Sequence, residues 1–188
     1  MKKKKLSLST ILFGLFVVLL IIPQTRTPIQ VALNKVRVFV WSPAALDNED
    51  QTQLEPFTYR LANLDGVPTT FEIGNGKVTF IGYWATWCPP CIAELPSMEK
   101  LYADYRDQID FILITNENPE TARNFLVKKQ YDLPVYFPRM KAPEALFERS
   151  IPTNYVLDKT GKILIKETGA ADWDSEKVRG VLDGLLLN

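Results

Sequence analysis

The first run of hydrophobic positions covers residues 6–22, interrupted only by Ser7, Ser9, Thr10 and Gly14, preceded by Lys2 to Lys5 and ended by Pro23-Gln24. A core helix of a soluble domain keeps a polar face. This run has none, which predicts a membrane-directed helix at the short end of the roughly 17–25 residues that span a bilayer. Pro23 to Pro28 offer no small-x-small cleavage site, so an uncleaved anchor over residues 1–23 is favoured above a removed leader. Retention of the lysine cluster in the cytoplasm would put the rest of the chain outside the inner membrane, in the periplasm or at the cell exterior. Ile29, Leu33, Val36 and Val40 then recur at helical spacing among Arg26, Lys35 and Arg37. That pattern fits either a helix lying on the membrane surface or a loosely ordered linker. Ser42 to Gln53, rich in acidic and amide residues, reads as the spacer that ends a juxtamembrane segment over 24–55.

Beyond it, residues 56–188 carry the pattern of one domain. Val78 to Trp84 is β-branched and aromatic without alternation, as in a central strand buried on both faces. From Cys91 the apolar positions Ile92, Leu95, Met98, Leu101, Tyr102 and Tyr105 follow a helical period. A strand over Phe111–Thr115, a helix over Pro119–Gln130 and a short strand over Val135–Phe137 continue a βαβ alternation. Thr153–Leu157 and Lys162–Glu167 flank Asp158-Lys159-Thr160-Gly161 as a hairpin, and Ser175–Leu187 closes as an amphipathic helix. The fold class expected is α/β: a central mixed sheet with helices on both faces, behind one transmembrane helix.

Composition agrees with an ordinary globular core, with 46% hydrophobic and 23% charged residues. The formal net charge is zero, and without Lys2 to Lys5 the balance is 18 basic against 22 acidic residues. Nucleic-acid binding therefore has no electrostatic support. The chain has no histidine, which excludes imidazole acid-base catalysis, histidine-ligated metals and Cys-His nucleophile pairs. Its two cysteines, Cys88 and Cys91, are too close in sequence to join distant segments. They read as a redox dithiol or as half of a metal site completed by a partner.

The dithiol reading has a physical basis, because the strand-to-helix junction puts Cys88 at a helix N-terminus. There the dipole and free N–H groups stabilise a thiolate, the nucleophile of disulfide exchange. With Cys88 as N-cap, Pro89 and Pro90 fall at N1 and N2, where a missing N–H breaks no helical bond. Only the Cys91 N–H then remains near the Cys88 sulfur. A weakly stabilised thiolate shifts the pair toward donating electrons, so a reductant is expected. Cys91, one turn in, suits the resolving role. Pro96 removes a hydrogen bond within the helix and predicts a kink. Glu94 either faces solvent or points inward as a proton partner of the dithiol.

Trp84-Ala85-Thr86-Trp87-Cys88-Pro89-Pro90-Cys91 with Glu94-Leu95-Pro96, together with Ile151-Pro152-Thr153 and the hairpin after it, resembles the TlpA/ResA-type membrane-anchored thioredoxin-like proteins over roughly residues 56–188. The resemblance implies a thioredoxin-like fold and thiol-disulfide oxidoreductase activity, with Cys88 as nucleophile and Cys91 as resolving residue. It further implies Glu94 in proton transfer, Pro152 as a cis-proline facing the cysteines, and Trp87 and Ile151 beside it at the substrate. Ordinary thioredoxin has a buried aspartate where this chain has Gly82, and Glu94 is the candidate replacement. The insertion around Asn116–Arg149 fits the family's longer central region.

No cofactor beyond the cysteine pair is expected. The partners implied are protein disulfides, such as the haem-binding cysteines of apocytochrome c, and a membrane thiol-disulfide electron donor. A disulfide-forming oxidant or isomerase uses the same motif in the opposite sense. A peroxiredoxin-type peroxidase is disfavoured by Ala85 where Thr or Ser is usual, and a copper-delivery protein by the cysteine spacing and absent histidine.

Overall fold

The computed structural model of the chain describes residues 7–147 and 149–187. Lys2 to Lys5 and Leu6, part of the expected anchor, lie outside the described residues. Helix α1 (Leu8–Ile21) is capped by Ser7, whose hydroxyl accepts from the Thr10 N–H. Ile22 and Pro23 turn the chain by 97° into α2 (Pro23–Val40). No single described helix is long and apolar enough to cross a membrane.

The domain is built on one eight-stranded sheet, in the order β1 (Thr52–Gln53), β8 (Lys162–Thr168), β7 (Thr153–Leu157), β4 (Thr79–Tyr83), β5 (Asp110–Ile114), β6 (Val135–Pro138), β2 (Phe57–Asn63) and β3 (Pro68–Ile73). β4 pairs in parallel with β5, and β5 with β6, while β7 runs antiparallel to both β4 and β8. β4 is buried on both faces as its unbroken apolar sequence predicts. The β7–β8 turn holds Gly161 at φ 85°, and the Asp158 carboxylate accepts from the Thr160 and Lys162 N–H groups.

The helices do not divide between two faces as expected. Core residues of α3 (Pro89–Tyr105), α4 (Pro119–Lys129) and α5 (Glu176–Leu187) share one cluster with Phe80, Leu113 and Val156. The other face, carrying Ile81, Ile112, Tyr155 and Leu157, is covered by Leu46 and by Leu146 of a 3-10 helix (Glu144–Leu146). Handedness explains this: β4-α3-β5 and β5-α4-β6 step the same way along the sheet, and right-handed crossovers then leave both helices on the same side.

Two segments hold more structure than their sequence suggested. Residues 57–73 form the β2–β3 hairpin, closed by Asn63, whose side chain accepts from the Asp65 and Val67 N–H groups, and by Gly66 at φ 77°. Residues 23–40, from the end of the expected anchor into the expected linker, take the helical one of the two readings as the continuous helix α2, and beyond that reading α2 packs against α3. Its C-terminal end is tied down where the Trp41 carbonyl accepts from the Asp172 N–H and Arg37 pairs with Glu167 at 3.2 Å.

Candidate active site

β4 ends at Tyr83, and residues 84–88 lead directly into α3. Cys88 is the N-cap, with φ −90° and ψ 104°, and its sulfur accepts from the Cys91 N–H at 3.3 Å. Pro89 and Pro90 occupy the first helical positions, so they present no donor to that sulfur. Cys88 and Cys91 are joined as a disulfide with Cα atoms 5.2 Å apart. Both are enclosed, at 3% and 0% exposure, so Cys88 is less open than its place at the cap suggested. The exposed group beside them is Trp87. α3 continues through Pro96 to Tyr105.

The loop before the motif is fixed by Glu117, whose carboxylate accepts from the Thr86 N–H at 2.6 Å and the Thr86 hydroxyl at 2.7 Å. The Ile151–Pro152 peptide bond is cis. Ile151 and Trp87 line a cleft of about 300 Å³ together with Tyr83, Asn116 and Glu117. The structure thus brings Trp87 and Ile151 to one hollow.

Glu94 faces inward. It lies one turn beyond Cys91 on α3, buried, with both carboxylate oxygens engaged. The Asn154 amide donates to Oε1 at 2.9 Å, and the Ala171 N–H and Trp173 Nε1–H both donate to Oε2 at 3.2 Å. Burial raises its pKa from 4.5 to about 8, outweighing the three donors and the more distant Arg37 charge, which pull it down. A carboxyl near that value exchanges protons at neutral pH.

Gly82 supplies the space for this arrangement. A Cβ there would meet Asn154 Oδ1 at 2.5 Å and Leu113 Cδ2 at 2.9 Å. The volume that a side chain on β4 would fill is thus taken by Asn154 of β7, which hands its amide N–H to Glu94. Asn154 Oδ1 is buried without a hydrogen-bond partner. Sequence reasoning singled out Glu94 and Gly82 but missed Asn154, Trp173 and Glu117. The one available signal was Asn154 itself, an amide residue directly before the apolar run Tyr155-Val156-Leu157 of the same strand.

Comparison with known proteins agrees with this geometry. The Redoxin family pattern matches residues 49–182. The thiol-disulfide oxidoreductase ResA of Halalkalibacterium halodurans is 31% identical over 112 residues, which are 58% of this chain and 64% of that protein. ResA of Bacillus cereus is 31% identical over 131 residues, 67% of this chain and 71% of the relative. The first alignment therefore spans just under two thirds of its relative's length. Among solved structures, a thioredoxin-family thiol:disulfide interchange protein from Chlorobium tepidum superposes with a TM-score of 0.53 at 26% identity, covering 73% of this chain and 99% of that one. A DsbF homologue from Corynebacterium diphtheriae gives 0.56 at 18% identity over 77% and 93%. The chain belongs to the Redoxin family, and within it to the thioredoxin-like proteins of ResA type.

Proposed function

We propose that this chain is a thiol-disulfide oxidoreductase that reduces disulfides of exported proteins, with Cys88 as nucleophile, Cys91 as resolving residue and Glu94 as proton partner. The observation that carries the reading is the cap of α3: the Cys88 sulfur accepts one backbone N–H, from Cys91, and two prolines stand where further donors would be. A thiolate with so little stabilisation favours loss of the electron pair to a substrate disulfide.

In the reduced protein, the Cys88 thiolate attacks one substrate sulfur. The substrate S–S bond breaks, a mixed disulfide forms, and one substrate thiolate leaves. The Cys91 thiol gives its proton to the Glu94 carboxylate and attacks the Cys88 sulfur, releasing the second substrate thiolate. Two electrons pass from the dithiol to the substrate, and the Cys88–Cys91 disulfide remains. Trp87, Ile151 and the cis-proline Pro152 bind the substrate segment. The cysteine pair serves without a further cofactor.

In this reading residues 1–23 anchor the chain in the bacterial inner membrane as a single span, with residues 56–188 outside the cytoplasm. The support is compositional: the apolar run 6–22 follows four lysines. The haem-binding cysteines of apocytochrome c are the substrate we favour, and a membrane thiol-disulfide carrier restores the dithiol. Replacing Cys91→Ala in the full chain strands the mixed disulfide on Cys88. Trapping a polypeptide bearing Cys-x-x-Cys-His supports the proposal; a trap that stays empty while Cys88 remains free and reactive refutes it.

A further inference from the structure

Helix α2 has two faces. Val31 and Val38 are partly buried beside Ile92, Phe125 and Ala93. The opposite face shows Leu33, Val36 and Val40 at 63–72% exposure, while the exposed Phe39 stands at the edge of the domain-facing side beside Val38. Elsewhere on the domain the exposed large apolar residues are scattered, at Val67, Trp87, Val127 and Phe147 among others. Scattered apolar residues are ordinary, but a contiguous set marks a surface meant to be covered.

We propose that α2 lies in the membrane surface with Leu33, Val36 and Val40 in the lipid, holding the domain against the bilayer in one orientation. This rests on the anchor reading of α1 and goes beyond it, since an anchor alone would permit a freely tethered domain. Three observations choose lipid as the occupant. First, α1 leaves α2 at 97°, so a helix entering the membrane along its normal lays α2 in the membrane plane. Second, Thr25 begins the same helical row as Ile29, Leu33, Val36 and Val40, and its hydroxyl donates to the Leu19 carbonyl. That bond places α1 on the side of α2 that carries the apolar row, so the membrane α1 enters is the surface the row meets. Third, α2 carries no acidic residue, and Arg26 stands exposed in its first turns, which complements anionic headgroups, while Arg37 is taken up by Glu167.

Such helices bury their apolar face by about 5–10 Å into the headgroup boundary. Because α2 packs on α3, the active-site helix is then held a single helix layer, roughly 8–10 Å between axes, above the lipid. The dithiol is thereby presented to partners at a fixed height.

The test uses the full chain with Cys88→Ser and Cys91→Ser, reconstituted in vesicles of phosphatidylethanolamine and phosphatidylglycerol. Single cysteines introduced by Gly14→Cys, Leu33→Cys, Val36→Cys or Glu72→Cys carry a nitroxide, and its relaxation by oxygen and by a water-soluble nickel chelate is measured. The expected result is that the chelate effect is lost at positions 14, 33 and 36 and retained at 72. Lipid exposure at 14 with full chelate access at 33 and 36 overturns the inference and leaves the anchor standing. Chelate access at 14 overturns both. Protection at 33 and 36 with spin–spin broadening between copies overturns it in favour of self-association. In a second variant, Val36→Glu with Val40→Glu is expected to restore chelate access at position 33 while 14 stays in lipid. Unchanged protection at 33 counts against the proposal.

Discussion

Replacing Glu94→Gln should change how stability depends on pH, and the size of the change follows from the burial of the carboxyl. In the folded oxidised chain Glu94 holds its proton up to about pH 8, whereas in the unfolded chain it releases it near the ordinary 4.5. Between these values the native state binds the extra proton, so stability falls as pH rises. The contribution is intact below 4.5, and its loss is complete above 8. At about 1.4 kcal/mol per pH unit, this window corresponds to a loss of about 5 kcal/mol. Glutamine does not titrate, and its oxygen can still accept from Ala171 and Trp173. Its NH2 then faces Asn154, whose amide can turn to offer the unpartnered Oδ1. Denaturant unfolding of the oxidised full chain in detergent, from pH 4 to pH 9, compares the two proteins. Wild type should lose several kcal/mol more than the variant over that range. Curves that stay parallel within about 1 kcal/mol would refute the reasoning and mean that the carboxyl ionises in the fold as it does in water.

Trp173→Phe keeps most of the packing and removes one donor to Glu94, so the carboxyl should titrate still higher; carboxyl infrared bands followed against pH read this directly. Gly82→Ala sets a methyl 2.5 Å from Asn154 Oδ1 and should cost roughly 1–3 kcal/mol of stability, together with a shift in the Glu94 titration as Asn154 is displaced. Glu117→Ala leaves the part-buried Thr86 N–H unpaired and should cost roughly 1–3 kcal/mol, with weaker disulfide reductase activity as the loop beside Cys88 loosens. Loss of stability with full activity would assign Glu117 to the fold alone.

The parts of the site legible in the sequence are those whose physics is local. Two prolines after a cysteine at the end of a strand dictate where the helix starts and which N–H can reach the sulfur. The Asp158 to Gly161 turn likewise declares its hairpin within a few residues. The environment of Glu94 was not legible, because its three donors lie 60, 77 and 79 residues away and converge only through the pairing of β7 with β4 and the return of the chain to α3. The β2–β3 hairpin carried the Asp65-Gly66 signal but was overlooked. The docking of α2 was hidden because Val31 and Val38 interleave with the outward row of Leu33, Val36 and Val40, giving a helix apolar on two sides. The helices' shared face followed from crossover handedness once the strand order was known, and the sequence contained no strand order.

The reduction potential of the Cys88–Cys91 pair decides the direction in which it moves electrons. Equilibrating the chain in glutathione or dithiothreitol buffers of graded potential, and counting free thiols, gives its reduction potential. With one N–H at the Cys88 sulfur, the pair should fall near the about −270 mV of thioredoxin. A value near the about −120 mV of a disulfide-forming catalyst would contradict the proposed reductant.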